Sequence, residues 1–423
     1  MSIYEHFCKA YKVSTDSRHV DPDAVFFALK GEHFDGNDFA LEVAEKGVAS
    51  LVVADRESLP DHPRIIKVQD ALLTLQGLAL YHRLLLKFKV IGITGTNGKT
   101  TTKELVAAVL GKKYNVIYTQ GNYNNHLGVP LTLLRATKDT EIAVGEMGAN
   151  HPGEIKKLCQ IADPNYGLIT NIGKAHLEGF GSFQGVVNTK NELYQYLREN
   201  HGEAFVNHGN ELLMDLSKDL KRYTYGLDGA DSPVTMPDCA PYLSVANQRT
   251  GIVKTQLVGE YNFENVAAAI GVGQAFAVPD PTIREAIEQY EPTNSRSQVI
   301  KGKNVIVMDA YNANPTSMNA SVRNFRNICG ENPLLILGDM RELGEASETE
   351  HKVILQLLKD LGFHEAFLVG PCFSQYNDNP EYQTFATSDD LASYLGNHPV
   401  EQRHILVKGS RGIQLEKILP MIQ

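Results

Sequence analysis

Lys99, Thr100 and Thr101 follow Gly95-Thr96-Asn97-Gly98, directly after an apolar run that ends at Thr94. Glycines permit a tight turn and let backbone N–H groups approach phosphate oxygens. A helix opening at once adds the positive end of its dipole. A lysine at position 99 can reach the β and γ phosphates, and the Thr100 hydroxyl can bind Mg²⁺. Phosphate binding is therefore the chemistry expected of Gly95, Thr96, Asn97, Gly98, Lys99, Thr100 and Thr101. The spacing is a variant of GxxxxGK[ST], because the glycine that pattern needs at position 93 is Ile93.

Other residues of chemical interest sit where strands should end. Glu146 closes the apolar run 142–145, and an acid at the carboxyl end of a parallel strand faces the ligand crevice of an α/β fold. His176 follows another such run, although a lone histidine is more often structural. Lys190 lies in a helix-like stretch and, read alone, is a solvated lysine. Asn124 and Asn125 follow the second strand of the same unit. Tyr311, Asn312 and Asn314 follow one strand end further on, and Lys408 and Arg411 follow the last. Arg411 can pair a carboxylate through two parallel N–H bonds. Ser410 between them is equally readable as a helix N-cap.

These positions need a scaffold, and the chain is long enough for one. Its 423 residues suggest about three domains at roughly 150 residues each. With 43% hydrophobic and 21% charged residues it is an ordinary globular composition. The net charge of -10 argues against a general nucleic-acid binder. Five cysteines without a CxxC pair fit reduced thiols rather than disulfides or a zinc site. The N-terminus lacks a signal-peptide pattern, and no apolar run approaches the ~20 residues of a membrane span. A cytoplasmic protein is expected.

Strand-like runs are expected at 24–29 and 49–53, with helices at 39–46 (stopped by Gly47) and 71–87. From 88 onward short apolar runs at 90–94, 116–119, 142–146 and 168–171 alternate with helical segments such as 101–110. That rhythm predicts a parallel sheet covered by helices on both faces. Residues 230–260 look like a small antiparallel excursion. After Ser295–Ser297 the rhythm restarts, with strands at 305–308, 334–337, 366–369 and 405–407. Helices are expected at 317–327, 348–361 and 388–395. The fold class is thus α/β, with units at 1–84, 85–296 and 297–423.

The GTNGKTT loop resembles that of the Mur ligase family, the ATP-dependent amide-forming enzymes of peptidoglycan precursor synthesis. GNYNNHLGVPLT at 121–132, EMGANHPGEI at 146–155, DAYNANP at 309–315, LGDMRELG at 337–344 and KGSR at 408–411 are similar to the member that adds the terminal D-alanyl-D-alanine. The resemblance covers the whole chain. It implies a small UDP-binding domain, a central P-loop ATPase domain and a C-terminal Rossmann-like domain. It also implies ATP and Mg²⁺ as cofactors. UDP-N-acetylmuramoyl-tripeptide and D-alanyl-D-alanine would be the substrates, joined through an acyl phosphate by a monomer. No nucleic acid and no membrane partner is implied.

The resemblance assigns roles position by position. Thr100 and Glu146 would hold one Mg²⁺, and His176 a second with a carbamylated Lys190. This chain has Lys-Asn-Glu at 190–192 where the family usually has Lys-Gly-Glu. Asn262 and Asn265, in GEYNFEN at 259–265, would lie near adenine, with Tyr261 in place of the usual histidine. Arg296 would approach the nucleotide, and Asp309 would bind the ribose. Ser17 and Arg18 belong to the implied UDP module. There Asn37 stands where a histidine is common. Asn124, Asn125, Tyr311, Asn312, Asn314, Lys408 and Arg411 would position substrate, and His126 stands where the family often has an acid. Lys99, Glu146, His176 and Lys190 would form the catalytic group. A sister ligase adding the third stem residue, folylpolyglutamate synthetase and an inactive ATP-binding paralogue are the rival readings. The first unit argues against the synthetase, and the combined metal set against the paralogue.

Overall fold

The apolar run before the phosphate loop forms the strand Lys89–Thr94, buried at every residue after the first. It lies in the middle of a seven-stranded sheet whose other strands all pair in parallel. The computed structural model describes residues 1–175, 177–292 and 296–423. Ile142–Glu146 flanks Lys89–Thr94 on one side and Tyr166–Ile169 on the other. The carboxyl ends of these three strands therefore open side by side, where α/β folds bind ligands.

Two smaller assemblies and one more large sheet complete the molecule. Residues Val13–Ser14, Val25–Phe27, Leu51–Ala54 and Ile65–Lys67 make a four-stranded parallel sheet in sequence order. Thr235–Asp238, Ser244–Asn247 and Gly251–Lys254 make the antiparallel excursion expected from the composition of that segment. The last sheet has six strands. Five run in parallel, and Gln298–Lys301 pairs antiparallel at its edge with Val305–Asp309.

Several boundaries differ from the sequence reading, each for a local reason. The strand expected at 168–171 is Tyr166–Ile169. The side chains of Thr170 and Asn171 bond Asn97 of the phosphate loop instead of packing as strand residues, through Thr170 Oγ1 to the Asn97 carbonyl at 2.6 Å and the Asn97 N–H to Asn171 Oδ1 at 3.0 Å. The helix expected at 101–110 is Lys99–Gly111, because Gly98 is already its left-handed N-cap. The helix expected at 317–327 is Pro315–Ile328. Asn314 and Ser317 build a capping box that starts it earlier. Glu203–Asn207 and Lys221–Gly226 are strands that the apolar-run criterion passes over, since half their residues are polar.

Packing links the units. The helix Ala71–Leu86 buries Leu75, Leu78 and Ala79 in one apolar cluster with Phe7 of the helix Ile3–Ala10, Val25 and Phe27 of the first sheet, and Met147 and Leu193 of the central unit. A second cluster fills the opposite face of the central sheet, and two more cover the faces of the last sheet. Among the described residues no helix is long and apolar enough to cross a membrane. All five cysteines are free thiols.

Candidate active site

The carboxyl ends of the central strands open into a cleft of about 1630 Å³. Its walls come from all three parts of the chain: Leu72, Gln76 and Leu80 from the first, the phosphate loop from the second, and Asp309 to Asn327 from the third. Thr96, Asn97, Gly98, Lys99, Thr100 and Thr101 line it together.

Two glycines shape the loop. Gly95 and Gly98 have φ of +142° and +78°, which L side chains rarely adopt. A Cβ on Gly98 would also run into Asn265 Oδ1, and one on Gly95 into Thr170 Oγ1. Gly98→Ala is expected to cost roughly 1–2 kcal/mol from the left-handed backbone alone. The collision with Asn265 adds to that and weakens ADP binding. Thermal melting and ADP titration test this; unchanged values in both would contradict it.

Lys99 folds back over the loop, with Nζ donating to the Gly95 and Thr96 carbonyls at 3.0 Å each. Burial lowers its pKa from the ordinary lysine value, against a compensating pull from Glu146. Thr100 donates its hydroxyl to Glu146 Oε2 at 2.8 Å. Asn124 donates its amide to Glu146 Oε1 at 2.8 Å. The Glu146 side chain is only 2% exposed. A buried carboxylate beside a hydroxyl is a set of hard oxygen donors, the kind that suits Mg²⁺.

Lys190 lies on the helix Phe183–Glu199, buried, with Nζ 5.6 Å from the Phe180 ring centroid. It does not line the cleft directly. Burial, then repulsion from Lys99, pushes its ammonium down to about 7. Tertiary packing thus overturns the solvated-lysine reading. His176 lies outside the described residues.

Another side of the cleft is lined by hydrogen-bonded polar residues. Asn265 accepts from Thr102 Oγ1 at 3.0 Å and donates to Asn262 Oδ1 at 2.9 Å. These amides therefore brace the loop helix as well as lining the cleft. Asp309 accepts from Ser321 Oγ at 2.8 Å and from Lys408 Nζ at 2.7 Å. Lys408 is thus committed to Asp309 rather than free for another carboxylate. The Arg296 guanidinium stacks over Tyr311 at 3.7 Å, and its buried Nε finds no partner among the described residues. Tyr261, in the cleft wall, shares a 2.7 Å hydrogen bond with Ser297.

Other expected residues are placed differently. Asn125 lines the cleft, but its Oδ1 accepts from the Leu127 and Gly128 N–H groups and so fixes the local turn. Asn312 also lines the cleft, and its Oδ1 accepts from the Ala313 N–H. Asn314 caps its helix and donates to Asn97 Oδ1 at 2.8 Å, tying the last unit to the phosphate loop. Ser410 makes no side-chain cap; it accepts from the Arg341 N–H at 2.9 Å instead. Arg411 lies outside the cleft, 3.4 Å from Glu416. Ser17 and Arg18 are also outside it, and Arg18 is held by both oxygens of Asp16 at 2.7–2.9 Å. Asn37 is buried and bonds Asp35 and Asp55, a bracing role within the first unit. Asp339 of LGDMRELG caps the helix Pro371–Tyr376 by accepting from the Cys372 and Phe373 N–H groups.

Sequence reasoning missed the wall made by Leu72, Gln76 and Leu80. Its signal was available only as a helix with apolar residues on more than one face. Lys174, bonded to Glu350 at 2.9 Å across the two larger units, was missed as well.

Three family models match the chain. They are described as Mur ligase family, catalytic domain (residues 9–89), Mur ligase middle domain (93–273) and Mur ligase, glutamate ligase domain (295–411). The UDP-N-acetylmuramoyl-tripeptide–D-alanyl-D-alanine ligase of Bacillus subtilis (strain 168) is 35% identical, over 96% of this chain and 92% of that protein. The ligase of the same name from Escherichia coli (strain K12) is 34% identical, over 97% and 93%. A crystal structure of MurF from Acinetobacter baumannii superposes with a TM-score of 0.86 at 31% identity, covering 97% of this chain and 92% of that one. The Thermotoga maritima MurF in complex with ADP gives 0.85 at 27% identity, covering 100% and 98%. With its fold, its phosphate loop and this full-length similarity together, the chain belongs to the Mur ligase family.

Proposed function

We propose that the chain is an ATP-dependent ligase that joins D-alanyl-D-alanine to UDP-N-acetylmuramoyl-tripeptide through an acyl phosphate, a step of peptidoglycan precursor synthesis. The observation that carries this reading is the juxtaposition of the phosphate loop with Glu146 and Asn124 in one cleft walled by all three parts of the chain. Similarity to ligases of that activity over nearly the whole chain supports it.

In this reading the tripeptide carboxylate attacks the γ-phosphoryl of ATP, and ADP leaves. The dipeptide amine then attacks the acyl phosphate, and phosphate leaves from a tetrahedral intermediate. Lys99 swings from its loop carbonyls to the phosphates and offsets the charge that develops there. Thr100 and Glu146 would hold a Mg²⁺, and His176 with carbamylated Lys190 a second; bound there, the ions neutralise phosphate charge. Burial pushes the Lys190 amine down to about 7, so near neutral pH a substantial fraction is uncharged, the form that takes up CO₂. Arg296 and Asp309 would hold the nucleotide, with Asn262 and Asn265 bracing the loop beside it. Asn124, Asn125, Tyr311, Asn312 and Asn314 would border the reacting peptide. Closure of the first and last units over the cleft would exclude water, which otherwise hydrolyses the acyl phosphate.

The proposed domain limits are 1–84, 85–296 and 297–423; each large sheet falls wholly within one of them. Dependence on ATP and five free thiols support a cytoplasmic setting.

The test is phosphate release by the purified protein with ATP, Mg²⁺ and UDP-N-acetylmuramoyl-tripeptide, with D-alanyl-D-alanine added or withheld. Release that needs both substrates, with a pentapeptide product by mass, is expected. Release with a dipeptide acceptor and a single free amino acid would instead identify the sister activity. ATP binding without release would identify an inactive paralogue.

A further inference from the structure

The phosphate-loop helix carries a second lysine that the chemistry above does not use. Lys103 lies one turn beyond Lys99 on Lys99–Gly111. Its side chain is wholly buried, and it does not line the cleft. Its Nζ is 3.4 Å from Glu104 Oε1, 4.0 Å from Glu146 Oε2 and 5.6 Å from the Tyr118 ring centroid.

A buried ammonium is costly unless it is paired, and an apolar side chain would suit a pocket walled by Tyr118 at less cost. The two carboxylates explain its presence. Glu146 is gripped from the cleft side by the Thr100 hydroxyl on Oε2 and the Asn124 amide on Oε1. Lys103 supplies the cation on the interior side of the same Oε2. Its other partner, Glu104, accepts from the Tyr290 hydroxyl at 2.7 Å, which anchors the pair to the segment after the helix Asp280–Glu288. Helix, strand end and that segment thus converge on one ammonium.

We propose that Lys103 is a positioning residue for the reaction: it fixes the aim of the Glu146 carboxylate toward the divalent cation that accompanies ATP. This rests on the reading of Thr100 and Glu146 as a cation site. Lys103 does not line the cleft, so it acts through Glu146. Partners of this kind, one step behind a metal ligand, commonly control metal affinity.

The test uses the full chain with Mn²⁺ as the probe, following free Mn²⁺ by electron paramagnetic resonance in the presence of ADP. Two variants are compared, Glu104→Gln and the double variant Lys103→Gln/Glu104→Gln. The double variant removes one positive and one negative charge from the same pocket, so the distant field at the cleft is nearly unchanged and folding is protected. Its Mn²⁺ affinity is expected to fall on the order of ten- to a hundredfold. Glu104→Gln alone should retain the parent affinity, and ADP binding in EDTA should be the same in all three proteins. Parent Mn²⁺ affinity in the double variant would overturn the proposal. An equal loss in Glu104→Gln, or a parallel loss of metal-free ADP binding, would overturn it too, by assigning the effect to Glu104 or to the fold. If the parent protein binds no Mn²⁺ with ADP, the cation-site reading fails first and this inference falls with it.

Discussion

Lys99→Ala is expected to lower turnover by on the order of 10³, equivalent to about 4 kcal/mol of transition-state stabilisation. The charge that develops in phosphoryl transfer is spread over the phosphate oxygens, and a preplaced ammonium in a crowded loop meets it without solvent reorganisation. The same ammonium rests on two carbonyls of the phosphate loop, so it is held close to its point of use. Substrate-dependent phosphate release reports the loss, while circular dichroism and thermal melting should stay near the parent values. Activity within tenfold of the parent would remove Lys99 from the mechanism.

The second large effect is expected from Lys190→Ala, a loss of about 10³ in kcat, again near 4 kcal/mol. What distinguishes this variant is rescue. A small carboxylate such as acetate should enter the vacated space and restore part of the activity, because the role assigned to Lys190 is that of a carboxylate made by CO₂ addition. In that addition the neutral amine nitrogen bonds to the CO₂ carbon and releases a proton. The buried amine titrates near 7. CO₂ uptake, and with it bicarbonate-dependent activity, should therefore rise as pH climbs through that value and fall below it. A rescue-negative variant that still binds ADP normally, or full activity without additive, would refute the role.

The two lysines differ in how they could be found. Lys99 was legible from its neighbours in the chain, because a strand, a glycine turn and a helix are consecutive segments. The same holds for Glu146, which local pattern alone placed at a strand end. Alternating apolar runs gave the α/β class and the antiparallel excursion for a similar reason: side-chain periodicity is a property of adjacent residues. Strands such as Lys221–Gly226 escaped because their partners, rather than their own composition, make them strands.

Everything that depends on residues far apart in sequence waited for the tertiary structure. Lys190 looks solvated in the chain and is buried in the fold, since the packing around its helix supplies the low-dielectric surroundings. Lys408 looked available to substrate and is paired with Asp309, which lies 99 residues away in sequence but on the neighbouring strand. Arg411 and Arg18 looked alike as candidate anion binders; in the fold each lies beside a local acid, Glu416 and Asp16, and Arg411 also packs 5.7 Å from the Tyr311 ring centroid. The amino-acid sequence by itself determined the phosphate loop, the α/β architecture and the strand-end acid. Only the tertiary structure decided which charged side chains face the cleft and which are neutralised behind it, because desolvation and Coulomb pairing act through space rather than along the chain.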